Sequence, residues 1–233
     1  MTQQQGIVKG DAQQKLGSAG FIIGAILMMI GALLLPPSLG LVGLERLKEA
    51  GEHAVLLQAS ALLATIGYWA ILIGTLGVYR SISASGAATS GAAWARLGFC
   101  FHIVGVALWT VGMSLDVSLA ALGLDWIAAP AAGKEAVYSV YAMLPGFGRG
   151  IFPMAVLVNW LAFAFIGIGM VRSAVYPRWL GWVELILGIA MLPVAVIMTF
   201  TGREALLNLF IPLSFLTILW FLVIGIWVAR KAW

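Results

Sequence analysis

Six long apolar runs dominate this chain, at about 17–35, 55–79, 97–122, 151–171, 179–200 and 206–229. An α-helix needs about 20 apolar residues to cross the hydrocarbon core of a bilayer, and each run is near that length or above it. Within hydrocarbon every backbone N–H and C=O must be bonded inside its own segment. The polar–apolar alternation of a membrane β-barrel is absent, so helices are the form these runs take. The expected fold is all-α. It is a polytopic membrane helix bundle of six transmembrane helices paired as three helical hairpins, forming a single domain over residues 1–233. Composition agrees: 62% of residues are hydrophobic and 9% charged, with a mean hydropathy of +1.04. A soluble domain carries about 25% charged residues and has far less apolar surface to hide.

Lys and Arg set the expected orientation. The N-terminal tail, the second and fourth connections and the C-terminus hold Lys9, Lys15, Arg80, Arg96, Arg172, Arg178, Arg230 and Lys231 against one acid, Asp11. The other three connections hold Arg46, Lys48, Lys134, Arg149 and Arg203 against Glu45, Glu49, Glu52, Asp125, Glu135 and Glu204. The positive-inside rule makes the first set cytoplasmic, so both ends of the chain lie inside. Tyr79, Trp94, Tyr176, Trp179 and Trp233 would form the inner aromatic belt. The net charge of +4 is spread singly over helix ends, with no basic stripe, and nucleic acid is not an expected partner. The first run ends in Pro36-Pro37 rather than a small-residue cleavage site, so it is expected to remain as the first helix.

The connections differ in character. LVGLERLKEAGEH, within residues 36–54, reads as a short amphipathic helix or an outward extension of the second span. AAGKEAVYSVYAML reads as an interfacial helix, broken by Pro145, Gly146, Gly148 and Gly150 before the fourth span. Residues 81–95, rich in Ser, Gly and Ala, read as a flexible loop. The single cysteine, Cys100, lies in an apolar run and excludes an intrachain disulfide.

The odd spans share a pattern of small residues every seven positions. These are Gly17, Gly24 and Gly31 in the first, Gly98, Gly105 and Gly112 in the third, and Gly181, Gly188 and Ala195 in the fifth. A seven-residue step stays on one face of a slightly supercoiled helix. In lipid, small residues let backbones approach and gain dispersion contact. These positions are therefore the expected packing seams. The even spans end alike in Ile-Gly a few residues before an arginine, which reads as an out-and-back unit used three times.

The stretch VRSAVYPRWLGWVELILG (171–188) resembles a broad class of uncharacterised bacterial six-span membrane proteins, through Arg172, Pro177, Arg178, Trp179, Leu180, Gly181 and Trp182. The resemblance is best over the fourth and fifth spans. It implies the six-span fold and a bacterial origin, and no activity.

Ionisable residues inside spans are costly and are functional candidates. His102 lies six residues in from Arg96, and Glu184 six in from Arg178, which puts each about 9 Å deeper than its anchoring arginine. Both fall on the small-residue seams. Two readings follow. One is a buried His102–Glu184 pair serving as a proton-accepting or ligand-binding site. The other, and simpler, is a polar contact joining two helices, with Glu184 also able to reach the headgroups. Asp116 is placed near the outer surface with Arg149 as its natural partner, and a rim ion pair explains it. Asn159, near mid-depth in the fourth span, reads as an amide bonding across helices, as do Gln58 and Asn208 nearer the outer ends.

Glu49, Glu52 and His53 read as a solvated helix face before a metal set. GIGMVR (167–172) and GLVGLER (40–46) follow no strand and are not dinucleotide loops. No catalytic, metal or cofactor signature is present. The expected function is a non-catalytic integral membrane protein, an accessory or assembly subunit packing with lipid and with other membrane subunits or further copies of itself. The rival is a small proton-coupled or small-solute transporter, which should show a cavity reaching His102 and Glu184.

Overall fold

The computed structural model describes residues 11–36, 41–84, 90–201 and 207–233. Those residues form eight α-helices and no strand: α1 (Ala12–Leu34), α2 (Gly43–Glu52), α3 (Ala54–Ala84), α4 (Ser90–Ala128), α5 (Lys134–Tyr141), α6 (Leu144–Arg172), α7 (Arg178–Thr201) and α8 (Leu207–Ala232). Six of them, α1, α3, α4, α6, α7 and α8, are long and apolar enough to cross a membrane. This is a multi-pass membrane protein.

The spans close into a ring in chain order. α1 packs on α3, α3 on α4, α4 on α6, α6 on α7, α7 more lightly on α8, and α8 back on α1. Both ends of the described chain meet at one end of the ring, where the Lys15 ammonium lies 4.7 Å from the centre of the Trp233 ring. We call this the termini end. At the far end α2 lies against α4, and Lys48 and Lys134 both stand over the Trp126 ring, at 5.2 and 3.9 Å. Cation–π contact of this kind holds a basic side chain beside an interfacial aromatic.

Local chemistry sets most helix ends. Asp11 caps α1 by accepting from the Gln13 backbone N–H at 2.8 Å. Pro177, just before α7, has no N–H to donate, and α7 starts at the next residue. Two sequence expectations are corrected. Residues 81–95 are not one loop: α3 runs to Ala84 and α4 begins at Ser90, with 85–89 outside the described residues. The interfacial helix does end before the fourth span, but the break falls at residues 142–143 and not at Pro145 and its glycines. Pro145 sits in the first turn of α6, where its missing N–H has no helical partner to lose, so Gly146, Gly148 and Gly150 continue as helix.

The seams put glycine against backbone. A Cβ on Gly17 would lie 3.1 Å from Gly77 Cα, and one on Gly24 would lie 2.7 Å from the Gly67 carbonyl, both on α3. Gly31 faces the Ser60 carbonyl of α3 at 3.1 Å. Gly98 meets Ala162 and Ile166 of α6, at 2.7 and 2.6 Å. Gly181 meets Val171 and Gly167, and Gly188 meets Ala164 and Trp160, all on α6. α4 and α7 thus dock on α6 from two sides. Gly112 stands apart. Its nearest neighbour is Ile151 Cγ2 at 3.8 Å, an ordinary contact, and Gly112 lines a cavity instead.

Candidate functional site

The ring encloses aromatic side chains. Tyr68, Trp109, Phe152, Phe210 and Trp160 touch in sequence, with centroid separations of 4.5, 5.7, 5.1 and 6.0 Å. Phe163 lies between His102 and Phe221, at 5.0 and 4.9 Å. This arrangement decides the fate of the polar candidates.

His102 is fully buried on α4. Its Nδ1 lies 2.9 Å from Thr75 Oγ1 of α3. Thr75 gives its own proton to the Ile71 carbonyl at 3.0 Å. The tautomer assigned from that network is Nδ1–H donating to Thr75, with Nε2 left as a buried acceptor lacking a protein partner. Glu184 is buried on α7 beside the Trp220 indole of α8. Trp220 Nε1 and Glu184 Oε2 both remain without a hydrogen bond of good geometry, so the two make a polar contact rather than a full bond. No hydrogen bond or ion pair joins His102 to Glu184. Their helices each pack on α6, and Phe163 of α6 lies against the His102 ring.

Asn159 is fully buried, donates to the Ala155 carbonyl at 2.8 Å and packs under Gly105 of the α4 seam. Asp116 is half-buried and lies in the wall shared by two cavities, three turns short of the end of α4. Its proposed partner Arg149 lies in the first turns of α6, with its side chain outside the described residues, as is that of Asn208. On α2, His53 Nε2 meets Glu49 Oε1 at 3.2 Å one turn apart, and no group of three or more metal-ligating side chains occurs among the described residues.

The larger cavity, about 360 Å³, occupies the far half of the ring. Tyr68, Trp109, Trp160 and Phe221 form its inner limit, and neither His102 nor Glu184 lines it. A smaller cavity of about 150 Å³ adjoins it toward α2, lined by Arg46 and Tyr141 and sharing Met113, Asp116 and Phe152 with the first. Burial holds the Tyr141 hydroxyl above its ordinary range, against the opposing pull of Arg46, so it is neutral at physiological pH.

No family model, curated protein or solved structure matches this chain.

Residues that sequence reasoning passed over line the larger cavity. Trp109 and Trp160 are 8% and 2% exposed, and their indole N–H groups have no partner in the protein. Ser214 Oγ, on α8, is likewise buried and unpaired. A signal for the tryptophans was available. Trp109 is about 20 Å from Arg96 along α4 and Trp160 about 18 Å from Arg172 along α6, well away from the interfacial depth where tryptophan is enriched. A buried indole ordinarily finds a hydrogen-bond partner.

Proposed function

We propose that this chain is a non-catalytic accessory or assembly subunit of a bacterial inner membrane, with three helical hairpins and both ends cytoplasmic, that docks through the outward face of α4. One observation carries the reading. Ala93, Cys100, Ala107, Ser114, Ala121 and Ala128 recur at every seventh residue of α4, and all six are exposed. The pattern repeats what α1, α4 and α7 use inside the ring to bring backbones together, here left exposed among the described residues. α4 is also the least covered span, with 28% of its most apolar stretch buried. The series is flanked on α4 by Leu97, Val104 and Val111, whereas the exposed face of α7 carries Trp179, Trp182, Ile186, Ile189, Val196 and Phe200, bulky side chains suited to lipid tails, with no such series among them. A small-residue face gains little against lipid and much against another helix.

Charge supports the orientation. The basic residues of the termini end outnumber its acids, and the resemblance at 171–188 to bacterial six-span proteins points to the same membrane. The alternative, a small proton-coupled or small-solute transporter, calls for a cavity reaching His102 and Glu184, and the lining of the larger cavity includes neither.

The test is the mass of the particle released from membranes in mild detergent. An assembly larger than the 24.7 kDa chain is expected, and Ala107→Leu should release the lone chain with its thermal stability intact. A wild-type protein that already migrates alone, or an Ala107→Leu protein that keeps its partner, overturns the proposal. A particle of two identical chains identifies the partner as a second copy.

A further inference from the structure

We infer that the far-half chamber is a binding site for a neutral lipophilic molecule that carries carbonyl oxygens on an apolar body, the chemistry shared by hydrophobic quinones and glycerolipid esters. The inference is independent of whether α4 docks on a partner.

The reasoning starts from the unpaired groups. Three spans each deliver one buried polar atom with no protein partner to the same chamber: Trp109 Nε1 from α4, Trp160 Nε1 from α6 and Ser214 Oγ from α8. An indole nitrogen only donates, and a serine hydroxyl can donate. Leaving a buried donor unsatisfied costs about 1–3 kcal/mol, so an acceptor brought to these walls is stabilised there. Two fixed N–H dipoles oppose a cation beside them; the one carboxylate of the lining, Asp116, stands two turns of α4 from Trp109. Single waters can satisfy such donors, but they do not fill a chamber whose lining is mostly aromatic or aliphatic.

Shape narrows the class further. A chamber of about 360 Å³ falls in the range of small-molecule sites. Its walls include the touching rings of Tyr68, Trp109, Phe152 and Phe210, which offer faces and edges to a planar group. Ile211 and Phe215 of α8 also line it and are half-exposed on the outer surface of the ring, so the chamber meets the bilayer at α8. A molecule dissolved in the membrane has a sideways entry there.

The test uses the full chain in dodecyl maltoside, whose molecules carry no carbonyl. Three probes are titrated by saturable binding and by the rise in melting temperature: a benzoquinone with a ten-carbon tail, dioctanoylglycerol, and decylbenzene as the acceptor-free control. At least one carbonyl probe should bind saturably, and decylbenzene at least tenfold more weakly. Trp109→Phe and Trp160→Phe keep a ring and lose the N–H. Each should weaken binding about fivefold, the equivalent of one hydrogen bond of about 1 kcal/mol. Ser214→Phe, which fills the chamber, should abolish binding, while Trp182→Phe on the lipid face should leave it unchanged. Selective quinone binding identifies a quinone site, and selective dioctanoylglycerol binding identifies a lipid site. Absence of saturable binding, decylbenzene binding as tight as the carbonyl probes, or full affinity in both Trp→Phe variants overturns the inference. Should Ser214→Phe fail to fold, the tryptophan variants decide alone.

Discussion

Gly188→Ala is the sharpest test of how this ring is held together. A Cβ built on Gly188 would lie 2.6 Å from the Ala164 backbone nitrogen and 2.8 Å from both Ala164 Cα and the Trp160 carbonyl oxygen. Ordinary contact begins at 3.4 Å, so α7 must back away from α6 by roughly 3.4 − 2.6 = 0.8 Å. The obstacle is helix backbone on both sides, and no rotamer change relieves it. A gap of 0.5–1 Å forfeits about a quarter to a half of each dispersion contact along the seam. Overpacking of this kind costs about 1–3 kcal/mol. Replacing glycine by alanine in a helix also brings a propensity gain of up to about 1 kcal/mol, and that gain operates equally at a glycine with space around it. Gly112 is such a glycine, with its nearest neighbour at 3.8 Å. The measured quantity is therefore the difference between Gly188→Ala and Gly112→Ala. It is expected at about 1–3 kcal/mol, or roughly 2–12 °C in melting temperature for a chain of this size. Scanning fluorescence of both variants in the same detergent reads it. Equal melting temperatures would refute the close α6–α7 contact.

Three further predictions follow from the described geometry. In a Cys100→Ser background, a cysteine at the exposed Ala174, beside Ser173, should react with impermeant thiol reagents only from the cytoplasmic side and one at Lys134 only from the outside; labelling of both from one side would refute the orientation. Thr75→Val removes the only protein hydrogen-bond partner of His102 and should destabilise the fold by about 1–3 kcal/mol, whereas Thr65→Val, at a residue bonded only to its own helix, should stay within about 1 kcal/mol of wild type; equal losses would show that the His102–Thr75 bond contributes nothing. Burial pushes the Tyr176 hydroxyl up from 10.0 to about 12, against the pull of its 2.7 Å bond with Ser81. The folded chain then holds a proton that the unfolded chain releases, so this contribution is complete below pH 10 and is lost as pH rises toward 12. Tyr176→Phe should flatten that alkaline fall in melting temperature, and an unchanged slope would contradict the assignment.

Much of the fold was legible because the membrane imposes strong constraints. Apolar length marked the six spans, and the heptad glycines marked faces that now lie against neighbouring backbone, except Gly105, which meets the Asn159 side chain, and Gly112, which faces a cavity. Sequence was weaker on which face of a helix looks inward. α4 carries two seven-residue series of small residues, Gly98, Gly105 and Gly112 on one side and Ala93 to Ala128 on the other. Both satisfy the same periodicity, and only the packing of α6 distinguishes the internal one. Of the two readings of His102, the structure gives it a polar contact joining two helices, and its pairing with Glu184 was not legible for a related reason. Equal spacing from Arg96 and Arg178 fixed the depth of His102 and Glu184, but depth carries no information about azimuth. In a ring closed in chain order, the third and fifth spans are separated by the fourth. His102 instead found Thr75, a hydroxyl one span away that could equally have bonded within its own helix. The chamber was hidden because its donors belong to tryptophans, which read as interfacial anchors until their depth is counted.

The central claim is that the outward face of α4 is an interface and the outward face of α7 is not. A photoreactive amino acid placed at Val104, beside the small-residue stripe, and separately at Ile189 on α7 tests it in intact membranes. Both positions are exposed on the outer surface of the ring. Illumination should give one discrete protein adduct from position 104 and only lipid adducts from position 189. Lipid adducts alone from position 104, or the same protein adduct from both, would contradict the account.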